Sequence, residues 1–196
     1  SHGEGLGNQF LSHIRNADAL VHVVRGFDDP NVVHVNGEIN PQIDIEIIDI
    51  ELALADLAQL ERKINRLESD LKGDRKILPK LQLAKSLKDH LAHGFPVSSH
   101  PDKDTEIFKD LSSELRFLTA KPVIFAVNVD ETGLSYSSEE VKIVEKLAKE
   151  RNSEMIVLCA RLEEEMINMT AEERQEFLEL AGAESSGLEQ VIRKGF

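Results

Sequence analysis

The residues best suited to chemistry stand together after an apolar run, where Val123-Ile124-Phe125-Ala126-Val127 leads into Asn128-Val129-Asp130-Glu131. A side-chain amide offers a donor beside an acceptor, and a carboxylate accepts from two N–H groups. Asn128 and Glu131 can therefore read the hydrogen-bonding edge of a heterocyclic base. A second segment, Val157-Leu158-Cys159-Ala160-Arg161, closes a β-branched run with small residues. Backbone amides there could approach a base lying against the first loop. The tetrad is equally ordinary for a strand-to-helix turn, because Asn and Asp bond readily to nearby backbone. Residue types alone leave both readings open.

In GTPases this place carries Asn-Lys-x-Asp, whose aspartate accepts two hydrogen bonds from the guanine edge. Here the second position is Val129 and the fourth is Glu131. The lysine is absent and the carboxylate is one methylene longer. Adenine lacks the guanine donor pair but presents an amino group beside a ring acceptor, which the Asn128 amide can match. The motif thus leans toward ATP. Val129 is expected to supply backbone and packing contacts, and Cys159, Ala160 and Arg161 to complete the pocket.

Other candidates are weaker. Cys159 is the only cysteine; with no histidine nearby in sequence it is expected to be a small buried apolar group rather than a nucleophile. Gly3-Glu4-Gly5-Leu6-Gly7-Asn8 is rich in glycine, yet has neither Lys-Ser nor Lys-Thr and no preceding strand. It is not a Walker loop, and no such loop occurs elsewhere in the chain. His90, His93 and His100 could in principle hold zinc. They lack the pattern of supporting carboxylates and are expected to be solvated.

These loops need strands to carry them. Ala19 to Arg25, Pro122 to Asn128 and Glu154 to Cys159 have the length and β-branched content of buried parallel strands. Helical patterns at Leu6 to Arg15, Ser137 to Arg151 and Ala171 to Leu180 alternate with them, which predicts an α/β fold with a parallel sheet. Between the first two strands the rhythm changes. Ala53, Leu57, Leu60, Ile64, Leu67 and Leu71 form a coiled-coil seam, Lys72-Gly73-Asp74 a turn, and Ile77 to Leu91 a returning helix. A short helix over Glu106 to Leu118 leads back to the sheet, and His93 to Asp104 is expected to be a mobile connection. Residues 44–118 thus read as a helical insertion in a core formed by 1–43 and 119–196.

Composition sets the outer limits. A chain of 196 residues, 41% hydrophobic and 30% charged, can bury a core without staples. A single cysteine, the absence of a signal-like amino end and apolar runs far shorter than a bilayer span of about 30 Å predict a cytoplasmic, non-membrane protein. The net charge of −13 opposes contact with phosphate backbones, so direct nucleic-acid binding is expected to be weak at best. Lys72, Arg75, Lys76 and Lys80 nevertheless gather at the hairpin turn, where they could meet RNA or simply solubilise it.

Several of these segments resemble the YchF family of Obg-like ATPases. They are Gly3 to Leu11, Val23-Val24-Arg25 with Phe27-Asp28-Asp29 through His34-Val35, Glu51 to Leu57, Asn128 to Glu131, Cys159-Ala160, and Gly187-Leu188 to Arg193. The resemblance implies a P-loop-type parallel sheet with an inserted helical coiled coil. It also implies binding and hydrolysis of ATP, often alongside GTP, with Mg²⁺, and association with ribosomes. It places Gly3, Glu4 and Gly5 beside switch II. A full member carries its phosphate loop and switches ahead of the segment matching Ser1, and a TGS domain after the segment matching Phe196. Neither is in this sequence, so no catalytic residue and no Mg²⁺ ligand is expected in the chain, and the chain alone is expected to be inactive. The alternative is a non-catalytic interaction module that works through its helical hairpin.

Overall fold

The computed structural model describes residues 10–27, 39–134, 138–183 and 185–195. They fall into two compact units. One holds 19–46 and 122–195, the other 10–18 and 47–121, counting described residues only.

The α/β unit is a three-stranded parallel sheet of β1 (Leu20–Arg25), β2 (Val123–Asn128) and β3 (Glu154–Leu158), in the order β1-β2-β3. The central strand shows why it is central. Ile124, Phe125, Ala126 and Val127 are all buried, as a strand covered on both faces requires. In register, Arg25 pairs with Asn128 and Asn128 with Leu158, so all three strands finish together at the chemically interesting end.

Phe125 and Val127 pack under Ile45 and under Val141, Val144 and Ala148 of α4 (Glu139–Glu150). Ser138 starts α4 by accepting the Val141 N–H at 3.4 Å, with Glu139 and Glu140 in the first turn. On the opposite face Ile124, Ala126 and Ile156 meet Val191 of α7 (Gly187–Gly195). Between β3 and α7 run α5 (Ala160–Glu165) and α6 (Ala171–Leu180), the latter opened by a reciprocal Thr170–Glu173 capping box.

The helical unit is built on α1 (Pro41–Asp70), which gives its first residues, 41–46, to the α/β unit. This helix starts earlier than the seam suggested. The Asn40 side chain accepts the Ile43 N–H at 3.2 Å, and Pro41 occupies the first helical position, where no N–H is needed. The predicted seam forms. Leu60, Ile64 and Leu67 are buried against Leu81, Ala84, Leu87 and Leu91 of α2 (Leu78–Ala92), and Phe108, Leu111 and Leu115 of α3 (Glu106–Leu115) close the cluster.

Each fully buried leucine contributes about 1.5–3 kcal/mol. The surface pairs Lys85–Glu68 and Lys88–Glu61, at 2.6 and 2.9 Å, add about 0–1 kcal/mol each. Apolar packing therefore decides the architecture.

Two expectations are corrected here. The third helix stops at Leu115 rather than Leu118, because Arg116 turns left-handed at φ 49° and Phe117 and Leu118 are drawn into the core. The connection from His93 to Asp104 is packed rather than loose. Val97 is buried and its N–H donates to Thr119 Oγ1 at 3.2 Å, while His100, far from solvated, is 4% exposed. His100 Nδ1 accepts the Asp102 N–H at 3.1 Å, and Nε2 lies 3.0 Å from Ser86 Oγ, which fixes the Nε2–H tautomer with Ser86 as acceptor.

Residues 10–18 attach to the helical unit through Asp56, which is 0% exposed. Its carboxylate accepts from Arg15 Nη1 at 2.8 Å, from the backbone N–H groups of Leu118 and Thr119 at 3.0 and 2.9 Å, and from Thr119 Oγ1 at 2.9 Å. Lys121 adds a bond to the Ala17 carbonyl at 2.5 Å, and Arg116 bonds Asn16.

Candidate functional site

Parallel sheets present ligand-binding loops at the carboxyl ends of their strands. Here those loops follow Asn128 and Leu158. Asn128 stands at the end of β2, and its carbonyl accepts the Gly26 N–H at 2.8 Å, which ties the loop to β1. Its side-chain Oδ1 accepts the Ala160 N–H at 2.9 Å, which ties it to the turn after β3. The structure thus brings Asn128 and Ala160 together, with the consequence that the Ala160 amide is committed to Asn128 rather than open to a base. With one lone pair of Oδ1 in use, Nδ2 is the group left to act as donor to a ring nitrogen.

Val129 is 2% exposed and packs with Val127 and Val141, while its N–H donates to the Leu158 carbonyl at 2.9 Å. Its side chain faces the core instead of lining a pocket. Alternation explains this: one residue past a buried strand, the side chain opposite Asn128 points inward. Asp130 shapes the loop. Its Oδ1 accepts from Thr132 Oγ1 and from the Gly133 N–H, both at 2.8 Å. The Thr132 hydroxyl, followed by the Gly133 amide, holds the Asp130 carboxyl below its ordinary range. Gly133 is required at this turn, since a Cβ there would lie 2.7 Å from Val129 Cβ.

Glu131 is exposed, and its Oε1 lies 3.5 Å from Arg161 Nε, an ion pair whose side chains are 53% and 75% exposed. Arg161 also stands 3.7 Å from Glu165 Oε1. Cys159 is buried and precedes α5 without a side-chain capping bond, in keeping with a small apolar group.

Two supporting residues carried no distinct signal in the sequence. Glu163 Oε1 accepts the Gly187 N–H at 2.5 Å, and Gln190 Nε2 donates to the Val157 carbonyl at 3.1 Å. They pin α7 to the end of β3. A Cβ on Gly187 would come within 2.6 Å of Leu158 Cβ, so glycine permits this approach. The capping pair Ser186–Glu189, with Glu189 N–H on Ser186 Oγ at 3.1 Å, is the one sequence-level sign of that helix start.

No family model matches the chain. Individual proteins do. A protein of Bacillus subtilis named ribosome-binding ATPase YchF is 40% identical over the whole chain, and one of the same name from Escherichia coli O157:H7 is 38% identical. The structure of the Schizosaccharomyces pombe YchF GTPase superposes over the whole chain with a TM-score of 0.80 at 29% identity. Along its entire length, the chain is similar to these YchF proteins. It spans about half of these proteins, 54% and 53% of the two relatives and 53% of the solved chain.

Gly3, Glu4 and Gly5 lie outside the described residues, as do positions 28–38. At the hairpin turn Lys72, Arg75 and Lys76 are exposed, but Lys80 is not part of an open basic tip. Its ammonium bonds Asp110 at 2.7 Å and Glu114 at 3.1 Å on α3. Burial pulls the Lys80 pKa down, but these two carboxylates outweigh it and raise it. The sequence could not reveal that pairing, because Lys80 and Glu114 are 34 residues apart.

Among the described residues no group of three or more His, Cys, Asp or Glu side chains could hold a metal, and no helix is long and apolar enough to cross a membrane. A cavity of about 530 Å³ in the helical unit, lined by Arg15, Leu54, Gln59 and Arg62 among others, belongs to a different region from the base loop.

Proposed function

We propose that this chain supplies the base-binding half of a YchF-type nucleotide hydrolase that binds and hydrolyses ATP, and also accepts GTP. Residues 1–43 and 119–196 are read as the nucleotide-binding domain and residues 44–118 as its helical insertion. The observation that carries the proposal is the hydrogen bond from the Ala160 N–H to Asn128 Oδ1, which joins the loops after β2 and β3 into one platform at the end of the sheet. Asn128 Nδ2 donates to the base, and Glu131 and Arg161 line its edge. Cys159 and Val129 support the platform from beneath.

By resemblance to the YchF proteins, the ligands of Mg²⁺ and the phosphate-binding residues are assigned outside this chain. When bound, Mg²⁺ neutralises charge developing on the phosphates during transfer. The chain by itself binds a base weakly and does not hydrolyse nucleotide. Relatives 40% and 38% identical are named as ribosome-binding ATPases, and the 29% identical neighbour as a GTPase, which supports both nucleotides and a ribosomal partner.

In the full-length protein, Asn128→Ala is expected to weaken ATP binding by about five- to a hundredfold, the equivalent of about 1–3 kcal/mol for a lost hydrogen bond and its unpaired partner. Calorimetric titration checks this; an unchanged Kd sinks the assignment. A ribosome contact is assigned to Lys72, Arg75 and Lys76, because they are exposed around one tight turn whereas the neighbouring Lys80, Lys85 and Lys88 are paired with carboxylates.

A further inference from the structure

Arg161 occupies an unusual position in the platform. It follows Ala160, whose amide holds Asn128, and its own Nε lies 3.5 Å from Glu131 Oε1. Two consecutive residues of α5 thus hold the two candidate base readers, one through a backbone bond and one through an ion pair. Glu165, one helical turn on, competes for the same Nε at 3.7 Å.

The chemistry of guanine makes this pairing consequential. A carboxylate grips guanine by accepting from its ring N–H and its exocyclic amino group, and it does so best when no cation draws it aside. Adenine has no such donor pair, so a carboxylate held elsewhere costs it little. From this geometry we propose that Arg161 is a positioning residue for base selectivity, drawing the Glu131 carboxylate toward α5 and thereby relaxing any grip on guanine. Glu165 tunes that hold by sharing the guanidinium. The proposal rests on the base-site assignment above and adds to it a determinant whose effect on selectivity runs through Glu131.

The test is the ratio of Kd values for GTP and ATP in the full-length protein. Arg161→Ala releases Glu131 and is expected to shift the ratio toward GTP by about two- to fivefold, the range open to an exposed ion pair. Arg161→Lys keeps the charge and returns the ratio toward wild type. Glu165→Gln frees Arg161 for Glu131 and shifts the ratio the opposite way. In a Glu131→Gln background, Arg161→Ala is expected to leave the ratio unmoved. A purely structural role for Arg161 weakens both nucleotides equally. An unchanged ratio for Arg161→Ala, or the same shift with Glu131 already neutralised, overturns the proposal. Asn128→Ala separates the two levels: if it weakens binding while Arg161→Ala leaves the ratio fixed, only the selectivity role falls. If Asn128→Ala changes neither affinity, the base site falls and the selectivity role with it.

Discussion

Replacing Asp56 with alanine tests the most concentrated polar interaction in the helical unit. The Asp56 carboxylate is fully buried and accepts four hydrogen bonds, from Arg15, Leu118 N–H, Thr119 N–H and Thr119 Oγ1. Alanine leaves two backbone donors without their partner and deprives a partly buried guanidinium of its carboxylate partner. Arg15 keeps bonds to the Ala55 and Arg116 carbonyls at 3.1 and 3.2 Å, which soften the loss. Breaking a buried pair costs about 3–5 kcal/mol, and each stranded buried donor about 1–3 kcal/mol. These figures overlap, so the expected loss is about 3–5 kcal/mol rather than their sum. At about 2–4 °C per kcal/mol for a chain of this size, Tm falls by about 6–20 °C. Asp56→Asn, which keeps one acceptor oxygen, falls between wild type and alanine. In the double variant Arg15→Met with Asp56→Ala, the loss is smaller than the sum of the single losses, because the unpaired cation is gone. Chemical denaturation of the four proteins gives the cycle. A loss below about 1 kcal/mol for Asp56→Ala refutes the claim that this carboxylate holds residues 15 and 118–119 to α1.

The His100 latch makes stability depend on pH. Burial, and then the nearby His90, lowers the His100 pKa below its ordinary value, while Asp102 opposes them. The unfolded chain therefore takes up a proton first: the His100 contribution is complete above pH about 6.5 and is lost as pH falls toward the folded-state pKa. Tm measured across that window should fall more steeply in wild type than in His100→Phe; parallel curves refute the assignment. At the hairpin turn, replacing Lys72, Arg75 and Lys76 with alanine is expected to weaken ribosome co-sedimentation. It should also reduce the slope of log affinity against log salt by about 2–3 if each residue meets one phosphate. Unaltered binding removes the turn as a contact.

The strands were legible because each is a short apolar run bounded by breakers, and β2 is covered on both faces along its buried length. The seam from Ala53 to Leu71 was legible because heptad spacing names its own partner face. What escaped were contacts between residues far apart in the chain. Nothing local about His100 distinguishes it from the exposed His93; its burial comes from Ser86 and from its place beside His90 and the buried Val97. Lys80 looked like its neighbours at the basic turn until α3 placed Asp110 and Glu114 beside it. The start of α1 was written locally, as Asn40-Pro41, but the alternation Ile43-Asp44-Ile45-Glu46-Ile47 that follows has a period of two and masked the helical period there. At the base loop the residue types were legible, whereas the division of labour among them depended on which way each side chain turned.

That division changes what the Asn-Val-Asp-Glu tetrad can mean. Had Val129 faced a ligand, the absence of lysine would be a statement about base recognition. In this backbone the position belongs to the core, between Val127 and Val141. A lysine here would have to bury its ammonium or unwind the loop, and burying an unpaired charge costs several kcal/mol. Converting the tetrad to the guanine-type pattern by Val129→Lys would therefore report on folding before it reported on selectivity. Asp130 is likewise committed, to Thr132 and Gly133. Of the four residues, Asn128, through Nδ2, and Glu131, through a carboxylate shared with Arg161, carry the groups the proposal turns toward a base, while Asp130 Oδ1 is held in the loop. On the proposed base site, selectivity thus reduces to one amide fixed by the Ala160 backbone and one carboxylate held by an exposed ion pair, and of those two the carboxylate is the one a single substitution can move.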